Sequence, residues 1–502
     1  MVEQLTAGFI NVFSSGFTIL VILSGACIGI VMGAIPGLTA NMAIALLIPL
    51  TFVMPTIPAI AMLIAISKGG TFGGSISAIL INAPGSPAAT ATAMDGFELA
   101  KKGKALKALK MALHASCIGD MFSDIILILV AAQLAKVALM CGPVERFTLI
   151  LFALTIIGTV SGKSLLKGLL AAAIGLLLAT VGMDPIVGFP RFDFGNVNLS
   201  GGIEFVPLMI GLFAISEVMD QVEDRGIIMR KLHSLPPTSA VITLSKKRED
   251  QKVTAAEIKA CFKTILRSSC VGTFIGALPG VGASVAAWVG YGMAKRASKN
   301  PDEFGRGALE GVAAAEAANN AVQGANLIPL LTLGIPGNMA AALLVGAFMI
   351  HGLAIGPLIF QKSGPIVYAI FAAGLVAIMA YWAAGFIFIR LGGLLTKVRK
   401  EYLFPVIVII CVMGVYSLNT NLFDIMVMFA AGGLGYFMRK LEIPIPPLII
   451  AFILGPEAEL TLRHSLMLSQ GSLEIFIRHP FALILLVLTI ITILRMATRG
   501  RE

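Results

Sequence analysis

Two proline–glycine pairs interrupt apolar sequence at corresponding places in the chain. The first lies in GAIPGLTANM, at Pro36 and Gly37, and the second in GALPGVGAS, at Pro279 and Gly280. Proline cannot donate a backbone hydrogen bond within a helix, and glycine tolerates dihedral angles that other residues avoid. Each pair therefore predicts an interrupted helix, and the N–H and C=O groups that the break frees can bind a ligand.

A second proline–glycine pair follows each of the first two. INAPGSPAAT contains Pro84 and Gly85, and LGIPGNMAA contains Pro336 and Gly337. The first pairs are 243 residues apart and the second pairs are 252 residues apart. Two landmarks in the same order at nearly the same spacing indicate an internal duplication, although proline–glycine pairs also recur in glycine-rich membrane proteins. We predict two repeated halves, residues 1–219 and 264–502, joined by a cytoplasmic linker at 220–263.

Small neutral polar side chains flank these breaks and could replace water around a carboxylate or Na+. A helix amino terminus presents N–H donors and a partial positive charge, which suits a carboxylate. We predict that the substrate is bound at the breaks by Pro36, Gly37, Thr39, Asn41, Pro84, Gly85, Ser86, Pro336, Gly337 and Asn338. The candidates for binding a coupling ion are Ser284, Glu316, Asn319, Asn320 and Gln323. The alternative for any single Ser or Thr is a role in helix packing.

Several charged residues lie inside apolar sequence, where an unpaired charge is expensive. Lys68 needs a partner, and we expect it either to bind the anionic substrate or to extend to the membrane surface. Asp120 and Asp124 are four residues apart on one helix face, so we expect them to bind a cation or to pair with Lys136. Glu316, in an alanine-rich segment, is the stronger carboxylate candidate for ion coupling.

Membrane-spanning helices must hold these residues in place. Of the 502 residues, 57% are hydrophobic and 13% are charged, whereas a soluble domain has about 25% charged residues. We predict an all-α polytopic membrane protein with about 12 transmembrane helices, broken or re-entrant at the proline–glycine pairs. The net charge of +10 comes from short basic blocks between apolar spans. Such blocks mark cytoplasmic loops and do not indicate nucleic-acid binding. The amino-terminal end has few basic residues and is expected outside.

The sequence indicates neither a metal centre nor an enzyme. The six cysteines form no CxxC pair, the five histidines do not cluster, and there is no HExxH motif. The segment GTVSGKS is similar to a P-loop, but it has three residues between its glycines where a P-loop has four. We predict no enzymatic activity and no cofactor, with Na+ as a candidate coupling ion. The energy for transport is then expected from an ion gradient or from another subunit.

Four stretches resemble the large membrane subunit of bacterial tripartite tricarboxylate transporters, namely GAIPGLTANMAIALLIPLTF, GGTFGGSISAILINAPGSPAATATAMDG, GFPRFDFG and LTLGIPGNMAAALLVGAFMIHG. The likeness covers most of the chain, from about Phe17 to beyond Pro357. It implies a multi-pass permease in the bacterial cytoplasmic membrane, with a small four-span membrane subunit and a periplasmic solute-binding protein as partners. It also implies import of a di- or tricarboxylate such as citrate, driven by Na+ or H+, with the residues named above at the breaks as the substrate site.

The expected mechanism begins with the binding protein docking on the external face, near Arg191 of GFPRFDFG. The carboxylate then passes to a site near the middle of the membrane, and one unit moves against the other to release it inside. A gradient-independent channel for organic anions is the alternative, because a channel would use similar breaks. An intramembrane enzyme would need a nucleophile with a base, and a structural scaffold would not need several polar breaks.

Overall fold

The computed structural model describes residues 2–160, 164–231, 247–395 and 403–499. The first part of the chain forms α1 (Val2–Ser14), α2 (Gly16–Ala34), α3 (Ala40–Thr51), α4 (Thr56–Ile81), α5 (Ala89–Lys101), α6 (Ala105–Leu139), α7 (Pro143–Val160), α8 (Leu165–Ala179), α9 (Val197–Ser200), α10 (Phe205–Ile210) and α11 (Ser216–Lys231). A π-helical turn at Gly211–Ile215 joins α10 to α11. Two short strands, β1 (Gly182–Met183) and β2 (Pro190–Arg191), form an antiparallel hairpin after α8.

The second part of the chain continues with helices of similar length. They are α12 (Ala255–Gly276), α13 (Gly282–Ala297), α14 (Leu309–Ala325), α15 (Leu327–Leu333), α16 (Met339–Ile350), α17 (Ile359–Lys362), α18 (Gly364–Leu395), α19 (Leu403–Asn419), α20 (Leu422–Lys440), α21 (Ile445–Leu468), α22 (Ile475–Arg478) and α23 (Pro480–Arg499). Short 3-10 turns lie at Arg248–Asp250 and Pro301–Glu303.

The helices have the length and composition of a membrane protein. Among the described residues, seven helical segments are at least 18 residues long and apolar enough to cross a membrane, and five further apolar helices are shorter. A helix satisfies its own backbone hydrogen bonds, which hydrocarbon requires. The protein is therefore an all-α polytopic membrane protein. The central element is α4, which is buried along its whole candidate span.

The polar stretch that begins at Gly455 is helical up to Leu468, because α21 continues through Pro456. The predicted linker is entered by α11 from one side and α12 from the other, and its residues 232–246 lie outside the described residues. The same holds for residues 161–163 of GTVSGKS.

The two halves place their elements in the same order around their breaks. In the first half the order is α2, break, α3, α4, break, α5 and α6, and in the second half it is α12, break, α13, α14 with α15, break, α16 and α18. The packing contacts between the halves also come in matching pairs, in which each helix of one half is replaced by its counterpart in the other. Helix α4 packs on α18 as α14 packs on α6, and α5 packs on α14 as α16 packs on α4. The breaks of both halves are thereby brought to one place between α4 and α14.

The close packing of α2 on α4 explains the glycine-rich pattern of both helices. A Cβ atom at Gly33 would lie 2.2 Å from the Gly70 carbonyl oxygen, and one at Gly29 would lie 2.3 Å from the Ile66 carbonyl oxygen. Small residues at helix interfaces allow backbones to approach closely, which favours association in a membrane. This packing fixes the end of α2, and with it the first break, against α4.

Candidate functional site

The first proline–glycine pair of each half breaks the backbone in the same way. Helix α2 ends at Ala34 and α12 at Gly276, and Gly37 and Gly280 then adopt φ angles of 84° and 85°. Such positive φ angles strain residues that carry a side chain, so glycine is favoured at both positions. After the turn, the chain enters α3 in the first half and α13 in the second.

The second pair of breaks also matches between the halves. Helix α4 is followed by Asn82 at a φ of 53°, and α15 by Gly334 at a φ of 75°, both in the left-handed region. Four residues later, Ser86 Oγ and Asn338 Oδ1 each accept a hydrogen bond from the backbone N–H three residues further on, at 3.4 and 2.9 Å. Asn82 and Gly334 are 252 residues apart, as are Ser86 and Asn338, so the same local geometry occurs twice.

Within each half the two breaks lie against each other. A Cβ atom at Gly85 would lie 2.2 Å from the Gly33 carbonyl oxygen, and one at Gly337 would lie 3.1 Å from the Gly276 carbonyl oxygen. In the second half a hydrogen bond adds to this contact, because the Gly280 N–H donates to the Gly337 carbonyl at 2.7 Å. The interrupted segments therefore form a compact layer and do not separate into independent loops.

A cavity of about 420 Å³ lies between the four breaks. The residues predicted from the sequence that line it are Thr39, Asn41, Gly85, Ser86, Ser284, Asn319, Gln323 and Asn338. Its remaining lining includes Ser67 and Thr71 of α4, and Pro446 and Ile450 of α21. The fold thus brings candidate residues from both halves to a single space.

The cavity is surrounded by the amino termini of four helices. The start of α3, α5, α13 and α16 each contributes lining residues, and α4 and α14 supply the wall between them. Each helix amino terminus carries roughly half a positive charge and several N–H groups without helical partners. Of the described residues that line the cavity, none has an ionisable side chain. The electrostatic character of the space is therefore set by four converging helix ends, which favour an anion.

Neutral side chains are linked across one wall of the cavity. Ser67 Oγ donates to Gln323 Oε1 and Gln323 Nε2 donates to Thr71 Oγ1, both at 2.9 Å. The side-chain amide of Asn319 is buried, and neither its nitrogen nor its oxygen has a hydrogen-bond partner. A buried amide without a partner is costly, so Asn319 is ready to bind a ligand or water. The sequence analysis missed Ser67 and Thr71, although their spacing of four residues places both on one face of a helix.

Five of the predicted substrate residues shape the breaks without lining the cavity. They are Pro36, Gly37, Pro84, Pro336 and Gly337. These residues end a helix or turn the chain. They would therefore affect a ligand indirectly, by setting the position of the helix that follows each break.

Glu316 is buried in a cage of neutral donors at the junction of the two halves. Ser75 and Ser116 donate their hydroxyl groups to its carboxylate at 2.5 and 2.8 Å, and Thr92 does so as well. The side-chain amide of Asn320 adds a fourth donor at 3.4 Å. Hydrogen bonds of this kind favour the ionised carboxylate, whereas burial disfavours it. Of the predicted ion-binding residues, Glu316 and Asn320 therefore form a cluster of their own beside the cavity.

Lys68 has partners that the sequence analysis did not assign to it. Its ammonium group donates to Asp120, and to the two carboxylate oxygens of Asp124 at 3.0 and 3.1 Å. All three side chains are buried. Lys136, expected as a partner of the two aspartates, is exposed instead. The lysine of α4 and the aspartates of α6 thus form a buried ionic cluster next to the cavity, and the lysine charge is already engaged.

Arg191 is held in an ionic network where the β1–β2 hairpin meets α21. Its guanidinium group makes two hydrogen bonds to Glu459, at 2.7 and 3.2 Å. Arg463 binds Asp184, and the backbone N–H groups of the two residues after Pro185 donate to Asp184 Oδ1 at 2.9 Å. These backbone donors, followed by Arg463, lower the pKa of Asp184 to about 2. The network fixes the hairpin to α21.

Another cavity, of about 350 Å³, lies on the other side of the fourth break. Its lining includes Gly334 together with Arg146, Lys362 and Glu457. Its lining has charges of both signs. Residues of only one break line it, so it lacks the convergence of helix ends found in the larger cavity.

Comparison with known proteins places the chain in a transport family. Residues 19–450 match the model described as "Tripartite tricarboxylate transporter TctA family". A protein of Agrobacterium vitis, described as an uncharacterized 52.8 kDa protein in the TAR-I ttuC' 3'region, is 35% identical over 466 residues, which is 92% of this chain and 89% of the relative. A second protein of that organism, from the TAR-II ttuC' 3'region, is 37% identical over 223 residues, which is 44% of this chain and 92% of the relative.

The family match spans the cavity, all four breaks, the Lys68 cluster and the Glu316 cage. The chain therefore belongs to the tripartite tricarboxylate transporter TctA family.

Proposed function

We propose that this chain, as the membrane component of a tripartite tricarboxylate transporter, imports di- or tricarboxylates such as citrate by secondary active transport. The observation that supports the proposal most directly is the convergence of four helix amino termini on a cavity with a neutral lining. An organic anion gains from the positive helix ends, and no acidic side chain in the described lining repels it. The protein is a permease in this proposal and catalyses no covalent step.

The size and shape of the site fit a small polycarboxylate. Ligand sites for molecules of this class are commonly clefts of about 300–1,000 Å³, and the cavity measures about 420 Å³. Separate carboxylate groups can each approach a different helix end. Thr39, Asn41, Ser86 and Asn338 then supply neutral hydrogen bonds that orient the bound molecule.

A coupling cation, Na+ or H+, binds near the substrate in this proposal. The oxygen atoms of Ser284, Asn319 and Gln323 line the cavity and can contact the cation there. Asn320 and Glu316 form the buried cage on the adjoining wall. A cation offsets part of the charge of a polycarboxylate, which lowers the electrostatic cost of carrying it through hydrocarbon.

The proposed partners follow from the tripartite family. A periplasmic solute-binding protein delivers the carboxylate, and a small four-span membrane subunit accompanies the permease in the bacterial cytoplasmic membrane. Docking near the β1–β2 hairpin remains our proposal for the binding protein. In the structure, Arg191 pairs with Glu459, so it offers a fixed surface and not a free charge.

The proposal is tested by uptake of labelled citrate into proteoliposomes that contain the complete transporter, with and without Na+ and pH gradients. We expect accumulation that requires both a gradient and the solute-binding protein. The triple variant Asn41→Ala, Ser86→Ala, Asn338→Ala is expected to lower substrate affinity at least tenfold.

The control is Asn421→Ala, because Asn421 caps α20 through its side chain, as Asn338 caps α16, but lies outside the cavity. It should lose helix stability without losing substrate affinity. Uptake unchanged in the triple variant contradicts the assigned site. Flux that needs no Na+ or pH gradient and runs only down the citrate gradient supports a channel for organic anions.

A further inference from the structure

The ionic cluster of α4 and α6 has an unbalanced charge. Lys68 contributes one positive charge, and Asp120 and Asp124 contribute two negative charges when both are ionised. The exposed fractions of the three residues are 2%, 0% and 3%. A buried charge without compensation is unfavourable in a membrane, so such residues commonly mark ion or proton pathways. One additional positive charge would make the cluster neutral.

The atoms of the cluster show where that charge would be placed. Asp120 Oδ1 binds Lys68, but Asp120 Oδ2 is buried and has no hydrogen-bond partner. The Tyr381 hydroxyl of α18 is near enough to act on Asp120 electrostatically, and it too is buried without a hydrogen-bond partner. A proton added to Asp120 Oδ2 would turn this unpartnered acceptor into an O–H donor, and a phenol oxygen can accept from such a donor.

A proton fits this position better than a metal cation does. The Lys68 ammonium already lies between the two carboxylates. The two gaps beside Lys68 measure about 10 Å³ each, which is room for at most one water molecule. A metal ion with its oxygen ligands would have to displace the lysine, whereas a proton on Asp120 needs no space.

The cluster is connected to the cavity by polar side chains. Gln323 and Asn338 line both the cavity and one of the small gaps beside Lys68. Asn326 lines the same gap, and both polar atoms of its side chain are buried without a partner. A water molecule in this gap would complete a hydrogen-bonded path along which a proton can move from the cavity to the cluster.

Buried or half-buried titratable groups lie on α6 and on several of the helices that pack against it. They include Lys68 of α4, Asp95 of α5, Asp124 and Cys117 of α6 itself, Cys261 of α12, Glu316 of α14 and Tyr381 of α18. Glu316 is separated from the cluster by its own cage, and Asp95 by hydrogen bonds to Tyr291 and to the backbone after Phe304. Lys68, Asp124 and Tyr381 are the groups that act on Asp120.

We infer that Asp120 carries a coupling proton, held by the Lys68–Asp124 pair and released when the site opens to the cytoplasm. The inference rests on the proposed function. A proton from external water binds the Asp120 carboxylate to give a neutral carboxylic acid as the substrate site fills. The same O–H bond breaks after reorientation, and the proton passes to cytoplasmic water. Net import therefore needs a group that can ionise at this position, whereas exchange of one carboxylate for another does not.

The experiment uses proteoliposomes with the complete transporter, labelled citrate and a trapped pH-sensitive dye. In the wild type we expect citrate uptake to acidify the lumen. In Asp120→Asn we expect exchange of internal for external citrate to stay within about twofold of the wild type. Net uptake driven by a pH gradient should fall at least tenfold, and acidification should be lost. Asp120→Glu keeps an ionisable group and should retain proton entry.

Asp424→Asn is the matched control, because Asp424 is also a buried aspartate with a neutral partner, Asn419, but lies away from the cluster. It should behave as the wild type. Proton entry per citrate that is unchanged in Asp120→Asn overturns the inference, and so does wild-type uptake that responds to Na+ alone. Absence of citrate uptake by the wild type under every gradient overturns the proposed function, and the inference with it.

A spectroscopic measurement covers the case in which Asp120→Asn does not fold. Infrared difference spectra between high and low pH should show the C=O band of a protonated carboxyl group in the wild type. This band should shift in Asp120→Glu and stay in place in Asp424→Asn. A band that does not move in Asp120→Glu excludes Asp120 as the carrier.

Discussion

The two central helices, α4 and α14, occupy matching places in the two halves but carry different chemistry. At a separation of 252 residues, Ser67 and Thr71 of α4 correspond to Asn319 and Gln323 of α14, and all four are neutral and line the cavity. Lys68 of α4 corresponds to Asn320 of α14. The first binds two aspartates, and the second donates to a glutamate.

This difference separates two tasks. The matching parts, which are the breaks and the neutral side chains, build a cavity that has nearly the same local structure from both sides. The ionisable residues differ, since Lys68 pairs with two aspartates of the first half whereas Glu316 of the second half accepts from donors of both halves. In the proposed function, anion binding uses the features that the two halves have in common, whereas the buried acidic clusters lie where the halves differ.

The largest effect is expected from removing the cation of the first cluster. Lys68→Met leaves two buried carboxylates without a cation, and loss of one partner of a buried ion pair costs about 3–5 kcal/mol. Asn320→Ala removes one neutral donor from Glu316 and should cost about 1–3 kcal/mol. Thermal unfolding followed by size-exclusion chromatography compares the two. The variant Lys68→Met, Asp120→Asn, Asp124→Asn should recover most of the stability, and equal losses for the two single variants would refute the comparison.

A smaller effect is expected from filling the contact between breaks. In Gly85→Ala the new Cβ meets a backbone carbonyl at 2.2 Å, whereas in Gly337→Ala its nearest neighbour is the Asn326 side chain at 2.8 Å. Overpacking costs about 1–3 kcal/mol, and more where backbone must move. Gly85→Ala should therefore be the more destabilised variant in thermal unfolding. Gly433→Ala, where nothing lies within 4 Å of the new Cβ, is the control and should not destabilise the protein. A larger loss of stability in Gly337→Ala than in Gly85→Ala would show that the backbone at the first half's contact can relax.

The side chains that follow the second pair of breaks provide a finer comparison between the halves. Asn338 is the N-cap of α16 and accepts from the Ala341 N–H at 2.9 Å. Ser86 instead precedes the N-cap of α5 and accepts from the Ala89 N–H at 3.4 Å. Both side chains line the cavity, but only Asn338→Ala also removes a cap of about 1 kcal/mol from a helix start at the site, so it should weaken citrate binding more than Ser86→Ala does, by about fivefold to tenfold. Equilibrium binding to the purified complex measures this. A larger loss in Ser86→Ala would mean that the first half dominates binding.

The smallest effect concerns the ionic network at the hairpin. The pKa of Asp184 is lowered to about 2 in the folded protein, compared with about 3.9 in an unfolded chain. Because the pKa is lowered in the folded protein, the contribution of Asp184 to the stability of the hairpin is complete above about pH 4 and is lost as the pH falls toward 2. Hydrogen exchange of the Ile186 and Val187 amides should therefore accelerate over this range, and Asp184→Asn should remove the dependence. An unchanged pH profile in Asp184→Asn would assign the effect to another group.

The positions of the breaks were predictable from the sequence because proline and glycine act locally. Gly37 and Gly280 take the positive φ angles for which glycine is suited, and the chain leaves the helix close to each proline–glycine pair. The neutral lining could also be predicted in part, since Asn41, Ser86 and Asn338 directly follow the breaks. The assignment of these residues to substrate binding stays a prediction.

The ionic partners could not be predicted, because they join distant parts of the chain. Lys68 is 52 residues from Asp120, and Ser75 is 241 residues from Glu316. Sequence spacing shows that Asp120 and Asp124 share a helix face, but not which helix packs against that face. The same limit applies to the Arg191–Glu459 pair, whose members are 268 residues apart.

The attraction for anions at the cavity resides in the main chain, at the starts of four helices. Substitution of a side chain in the wall removes hydrogen bonds to the bound molecule but leaves the field of the helix ends in place, because no lysine or arginine in the described lining provides it. In the proposed function, exchange of small wall residues would therefore change which organic acid is held, while the capacity to hold a negatively charged molecule belongs to the fold itself.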